Sequence, residues 1–203
     1  MFVCTANQAR SPLAAALLRR ELARISGRHL LVDVDSAGIQ AQPGARVLAP
    51  TLEVAHGYGV DLTSHRAKMF DHSMLGSHQL VLTMTEGQRS VLARLQPQQL
   101  TRTFTLKEWV RINEAVSSDC DSLSQLVLAT HRARPAVAAA DEPEDIMDPA
   151  GLPSHQHAVI AAEIATYTRS LAETLFTTGA PRRPRSTEFD DLDQPEDTSA
   201  MSS

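Results

Sequence analysis

Apolar residues in this chain fall into short runs separated by longer amphipathic stretches. The runs Met1–Cys4, Leu30–Val34, Leu80–Met84 and Thr101–Leu106 are brief and β-prone, and each predicts a strand. Between and after them, leucine, isoleucine and alanine recur three and four residues apart. That spacing predicts helices over 11–26, about 50–58, about 86–95, 107–116, 121–133 and 154–177. Strands alternating with helices predict an α/β fold with a doubly wound parallel sheet. In such a sheet the ligand crevice lies at the carboxyl ends of the strands, which is where the first run ends, on Cys4.

The residues after Cys4 give that position a chemistry. The order is strand, Cys4-Thr5-Ala6-Asn7-Gln8-Ala9-Arg10, then Ser11-Pro12 and a leucine- and alanine-rich helix. Ser11 suits an N-cap, Pro12 suits the first helical position, and Gly27 can stop the helix. The helix start carries free amides and the positive end of the dipole, a ready anion site. The loop from Thr5 to Arg10 can turn further amides inward, and Arg10 can supply a two-pronged fork for phosphate oxygens. The same field favours the thiolate of a cysteine placed there. Cys4 is therefore expected to be a nucleophile toward phosphorus.

On these residues the sequence resembles the low-molecular-weight protein tyrosine phosphatases, whose loop reads V-C-x-x-N-x-x-R-S-P. Val3 to Pro12 match it, and further blocks occur in the family's order: Asp35-Ser36-Ala37-Gly38, Gly59 to Lys68, Leu80 to Met84, and Asp148-Pro149. The resemblance spans roughly residues 1–178. It implies a four-stranded parallel sheet flanked by helices. It also implies a phosphocysteine mechanism with Cys4 as nucleophile, Arg10 on the phosphate oxygens and Asp148 as general acid and base. Thr5, Ala6, Asn7, Gln8, Ala9, Arg10 and Ser11 would form the phosphate loop, with Ser11 donating to the sulfur. Asn7, Ser36 and His65 would form its supporting hydrogen-bond network. No metal or organic cofactor is implied. The partner would be a phosphotyrosine protein or a small aryl phosphate.

Asp145 is the rival acid, but only Asp148 precedes a proline. His155 and His157 are two apart and should face different sides of a helix, so they should not chelate a metal together. Three departures from the family pattern stand out. The first strand is short and reads as truncated, which predicts reduced stability. Ala9 stands where many members carry a second cysteine, which predicts easier overoxidation of Cys4. Ala150 stands where many place an aromatic residue, which weakens the tyrosine-specific reading. The stretch from Arg134 to Gly151 is long enough to serve as a lid.

Composition narrows the class. With 203 residues and 42% hydrophobic content, one domain over 1–178 with an appended tail is the simplest division. The tail over 179–203 is expected to be disordered: residues 180–203 hold six acids and three arginines and have little to bury. No run is long and apolar enough to span a membrane, no basic face points to nucleic acid, and no signal peptide is visible. Two cysteines argue against a disulfide scaffold and for a cytoplasmic setting. Two alternatives stay open: an arsenate reductase of the same fold, for which Cys120 is the sole second thiol, and a catalytically weak phosphate- or phosphoprotein-binding module.

Overall fold

A computed structural model describes residues 1–26, 32–115, 120–137 and 144–178. The four strands are β1 (Phe2–Cys4), β2 (Ser36–Gly38), β3 (Val81–Thr83) and β4 (Thr103–Thr105). The helices are α1 (Arg10–Ser26), α2 (Ala49–Gly57), α3 (His72–Ser77), α4 (Glu86–Leu95), α5 (Leu106–Ala115), α6 (Leu123–Ala133) and α7 (Ser154–Thr178), with a 3-10 turn over Pro97–Arg102. All strands are parallel, in the order β2-β1-β3-β4.

The alternation of side chains along a strand divides the core in two. Phe2 and Cys4 of β1 and Leu82 of β3 join Leu13, Leu17 and Leu22 of α1, Trp109 of α5 and Ile160, Ile164 and Leu171 of α7. Val3, Ala37 and Val81 point the other way, onto Leu75 of α3 and Leu92 of α4. Every residue of the four strands is buried. Two covered faces explain why β1 and the stretch around β3 read as continuous apolar runs, not as alternating ones.

Two expectations need correction, and two elements are additional. The second strand is not at Leu30–Val34: residues 32–35 are irregular, positions 30 and 31 lie outside the described residues, and β2 is Ser36-Ala37-Gly38. β-Propensity favours the leucines and valines. The sheet instead takes the small residues, because β2 must pass beneath the loop that leaves β1. Ser11 is not the N-cap of α1. The helix begins at Arg10, and the first carbonyl in use is that of Ala9, which accepts from the Leu13 amide at 3.2 Å. The short α3 and the 3-10 turn carry no periodic signal and are absent from the sequence-based expectation. Gly27 and the tail over 179–203 lie outside the described residues.

Candidate active site

The loop leaving β1 is wound around the Cys4 sulfur. The Asn7 amide donates to Sγ at 3.2 Å, and the Ser11 hydroxyl lies 2.9 Å from it. Because α1 starts at Arg10, Ser11 sits inside its first turn and faces the sulfur instead of capping the helix. Its oxygen accepts from Asn7 Nδ2 at 2.9 Å and lies 3.3 Å from the Ala37 carbonyl.

Asn7 is the hinge of the turn. Its φ of 55° is left-handed, a region asparagine tolerates better than most residues. It is fully buried, and its side chain is used completely. Nδ2 donates to Ser11 Oγ and to Ser36 Oγ (3.0 Å), while Oδ1 accepts from the Lys68 amide at 2.9 Å. His65 Nε2 stands 3.0 Å from the Asn7 carbonyl. A carbonyl only accepts, so that ring nitrogen carries the hydrogen. Burial holds the His65 imidazole below its ordinary value, which favours this neutral form. Asn7, Ser36 and His65, singled out from sequence, are thus in one cluster.

The other loop residues are tied to the neighbouring chain. The carbonyls of Cys4 and Thr5 accept from the amides of Ile39 and Gln40, both at 2.9 Å. The Gln8 carbonyl accepts from Leu48, and its side-chain amide donates to the Arg46 carbonyl. Ala6 and Thr5 press on β2. A Cβ built on Gly38 would lie 2.6 Å from the Thr5 oxygen, 2.8 Å from the Asn7 nitrogen and 2.9 Å from the Ala6 carbonyl carbon. Those contacts are all backbone, so only glycine fits at 38. Ala9 is buried at the start of α1.

Arg10 is buried, and its guanidinium crosses to the segment before α7. One nitrogen donates to the Ile146 carbonyl at 2.9 Å and the other pairs with the Asp148 carboxylate. Asp148 is half exposed, and its second oxygen accepts from the Ala150 amide at 3.1 Å. Arg10, Asp148, Thr5, Gln40 and Met147 line a cleft of about 430 Å³. Asp145, the rival acid, is occupied elsewhere: it accepts from the Glu86 amide at 2.7 Å, at the start of α4. Its negative charge there complements the helix dipole. Glu144 is paired with Arg111, and the Ile146 amide donates to the Met84 carbonyl at 2.8 Å. Of the long loop, 138–143 lie outside the described residues, while 144–149 are anchored at these points.

His155 is exposed, and His157 is buried against Thr51 of α2 with its Nδ1 at 3.0 Å from the hydroxyl. Among the described residues no group of histidine, cysteine or acid side chains could hold a metal. No described helix is long and apolar enough to cross a membrane. Sequence reasoning missed Gln88, Glu144 and the supporting part of Asp145. A signal for Gln88 exists, because Thr85-Glu86-Gly87-Gln88 has the form of a capping box. Thr85 does accept from the Gln88 amide at 3.1 Å, but the glutamine side chain turns toward Met84 and Thr5. Glu144 and Asp145 leave no such signal, since their partners are over thirty positions away.

A parallel sheet with a cysteine loop at the carboxyl end of a central strand, followed by a buried arginine, is the frame of the cysteine-dependent phosphatases. Residues 1–122 match the family model for low molecular weight phosphotyrosine protein phosphatases, and the chain belongs to that family. Similar curated proteins include a protein-arginine-phosphatase of Geobacillus stearothermophilus, 34% identical over 110 residues (54% of this chain, 70% of that protein). A low molecular weight protein-tyrosine-phosphatase of Streptomyces coelicolor is 36% identical over 99 residues, covering 47% of this chain and 58% of that one. Among solved structures, the Geobacillus arginine phosphatase superposes with a TM-score of 0.64 at 28% identity, covering 87% of this chain and 91% of the other. The tyrosine phosphatase of T. tengcongensis gives 0.65 at 27% identity, with 86% and 97% covered. The matched 1–122 segment stops short of Asp148.

Proposed function

We propose that the chain hydrolyses phosphomonoesters of proteins through a phosphocysteine intermediate, with phosphotyrosine as the favoured substrate. One observation carries this reading: the Asn7 amide and the Ser11 hydroxyl flank the sulfur of Cys4, and Arg10, at the end of the same loop, is paired with Asp148.

Each residue then has a role. The Asn7 amide donates to the Cys4 sulfur and the Ser11 hydroxyl lies against it, which fixes the direction of its attack. A phosphate above the sulfur meets the loop amides, the α1 start and the fork of Arg10. Sγ attacks phosphorus as the bond to the leaving oxygen breaks. Asp148, protonated, gives its proton to that oxygen, so a phenol leaves in place of a phenolate. The resulting carboxylate then accepts a proton from water, whose oxygen attacks phosphorus while Sγ departs. Phosphate and the starting thiolate are regenerated. A substrate dianion competes with the Asp148 carboxylate for Arg10, so binding and release of the acid belong to one event.

Hydrolysis of p-nitrophenyl phosphate tests the assignment. Cys4→Ser is expected to abolish turnover, and Asp148→Ala to lower kcat by about 10²–10⁴-fold. No turnover by the unsubstituted protein overturns the proposal. Phosphoarginine is the second reading. It is favoured by the activity for which the Geobacillus relative is named and by Ala150, which offers no ring for a phenyl group to stack on. Relative kcat/KM on phosphotyrosine and phosphoarginine peptides separates the two. The arsenate reductase reading needs a resolving thiol. Both cysteines are free. Cys120 precedes α6, whose Leu123 lines a cavity with Met1 and Phe2 at the amino ends of the strands, whereas Cys4 is at a carboxyl end. Arsenate-dependent thiol consumption would favour that reading instead.

A further inference from the structure

We infer that Gln88 is a positioning residue for the phosphate loop, acting through the hydroxyl of Thr5. This rests on the reading that the loop binds phosphate. Gln88 is the third residue of α4, and the residue is 4% exposed at the edge of the cleft. A buried amide must have its donors and acceptor satisfied. Its Oε1 accepts from the Met84 amide at 2.9 Å and its Nε2 donates to Thr5 Oγ1 at 3.1 Å. The orientation is set by the network: a backbone amide can only donate, so the atom facing Met84 is the oxygen, and the nitrogen is left facing Thr5.

Thr5 immediately follows the nucleophile, and β1 lies between β2 and β3. On the β2 side the chain at Thr5 is held by the Gln40 amide on its carbonyl. On the β3 side its tie is Gln88. Met84, which anchors Gln88, is fixed in turn at the end of β3, where its amide also reaches the Val3 carbonyl at 3.2 Å. The loop leaving β1 is therefore guyed to both neighbouring strands, and Gln88 is the guy on one side. Freeing Thr5 lets the first turn of the loop rotate, and the amides that should converge on phosphate lose their common aim. Asp148 is not part of this tie, so proton delivery to the leaving group is unaffected.

The test is direct calorimetric titration of inorganic phosphate into the full chain, its Gln88→Ala and Thr5→Val variants and the double variant, which needs no turnover. Each single substitution is expected to weaken phosphate binding about 5-fold, the worth of one neutral hydrogen bond. The double variant is expected to be no weaker than the poorer single one, because both remove the same contact. On aryl phosphates KM rises with the phosphate Kd, while the dependence of kcat on leaving-group pKa keeps its original slope. Unchanged phosphate affinity in a folded Gln88→Ala, or additive losses in the double variant, overturns the inference. If Gln88→Ala does not fold, Thr5→Val decides alone, and unchanged affinity there overturns it equally. Failure of the unsubstituted chain to bind phosphate overturns the reading of the loop itself, and with it this inference.

Discussion

The two segments that meet at Arg10 are held by different physics. The Cys4–Ser11 loop is contiguous and mostly buried, and it is fixed by hydrogen bonds between neutral groups: backbone amides, the Asn7 carboxamide and the Ser11 and Ser36 hydroxyls. The 144–149 segment is half exposed and is fixed largely through its acids: Glu144 on Arg111, Asp145 on the start of α4 and Asp148 on Arg10. The first arrangement has one low-energy geometry, because each buried polar group left unpaired costs about 1–3 kcal/mol. The second is adjustable, since each of its ion pairs keeps one side chain partly exposed, and such pairs contribute little each. A rigid cradle beside an adjustable acid suits the proposed reaction, in which the phosphate stays in place while Asp148 releases Arg10 and turns to an oxygen.

The largest break in that contrast is Gly38→Ala. The added methyl would overlap three backbone atoms of the loop, none of which can swing away. Activity is expected to fall below detection, and stability by about 1–3 kcal/mol, as for other overpacked sites. Denaturant unfolding and p-nitrophenyl phosphate turnover check both. Full activity would show that the loop is softer than its contacts imply.

Asn7 comes next, and here two substitutions sharpen each other. Asn7→Ala removes three side-chain hydrogen bonds and also puts an alanine at a φ of 55°, for an expected loss of about 3 kcal/mol. Asn7→Gly loses the same bonds but tolerates the φ, so it should be the more stable of the pair by about 1 kcal/mol. Equal unfolding midpoints would mean that the left-handed turn is not retained in the variants.

The same contrast explains what is legible in the sequence. The cradle is local, since Cys4, Asn7, Arg10 and Ser11 carry their spacing on their face. The Asn7, Ser36 and His65 cluster becomes visible through the family's block order. Strand β2 escapes the pattern because three small residues have no β-propensity to announce them. Their selection is steric and depends on a loop thirty residues earlier. Asp148 stands out by the proline after it, whereas Glu144 and Asp145 look like any acids of a solvated loop. Their partners Arg111 and the Glu86 amide are brought to them by the fold. Ser11 reads as a cap because cap chemistry and sulfur ligation ask for the same hydroxyl at nearly the same position.

Glu144→Gln probes the adjustable side. The ion pair with Arg111 is replaced by a neutral contact, and the segment keeps Asp145 on α4 and the Ile146 amide on Met84. Stability should change by less than about 1 kcal/mol, as for a partly exposed pair. The kcat should fall a few-fold while phosphate affinity holds, because the cradle does not touch Glu144. A loss of phosphate affinity equal to the loss in kcat would erase the distinction between the segments.

The smallest effect comes from pH, and its sign is fixed by His65. Burial lowers its imidazole below the usual 6.5, and the Asn7 carbonyl only partly offsets that. The unfolded chain therefore binds a proton more readily than the folded one, and stability must fall as pH drops below about 6.5 toward the folded value. His131, lowered by burial and by Arg134, and the Met1 amine, lowered by burial to about 5, titrate over the same range. They are common to the parent chain and to His65→Gln, whose amide can still donate to the Asn7 carbonyl but carries no titrating proton. Unfolding midpoints between pH 7 and 5 should thus decline less steeply in His65→Gln than in the parent. Identical slopes would mean that the imidazole is protonated in the fold as easily as in water. The rim of the cradle would then be open to solvent, and its rigidity would stop at Asn7 and Ser36.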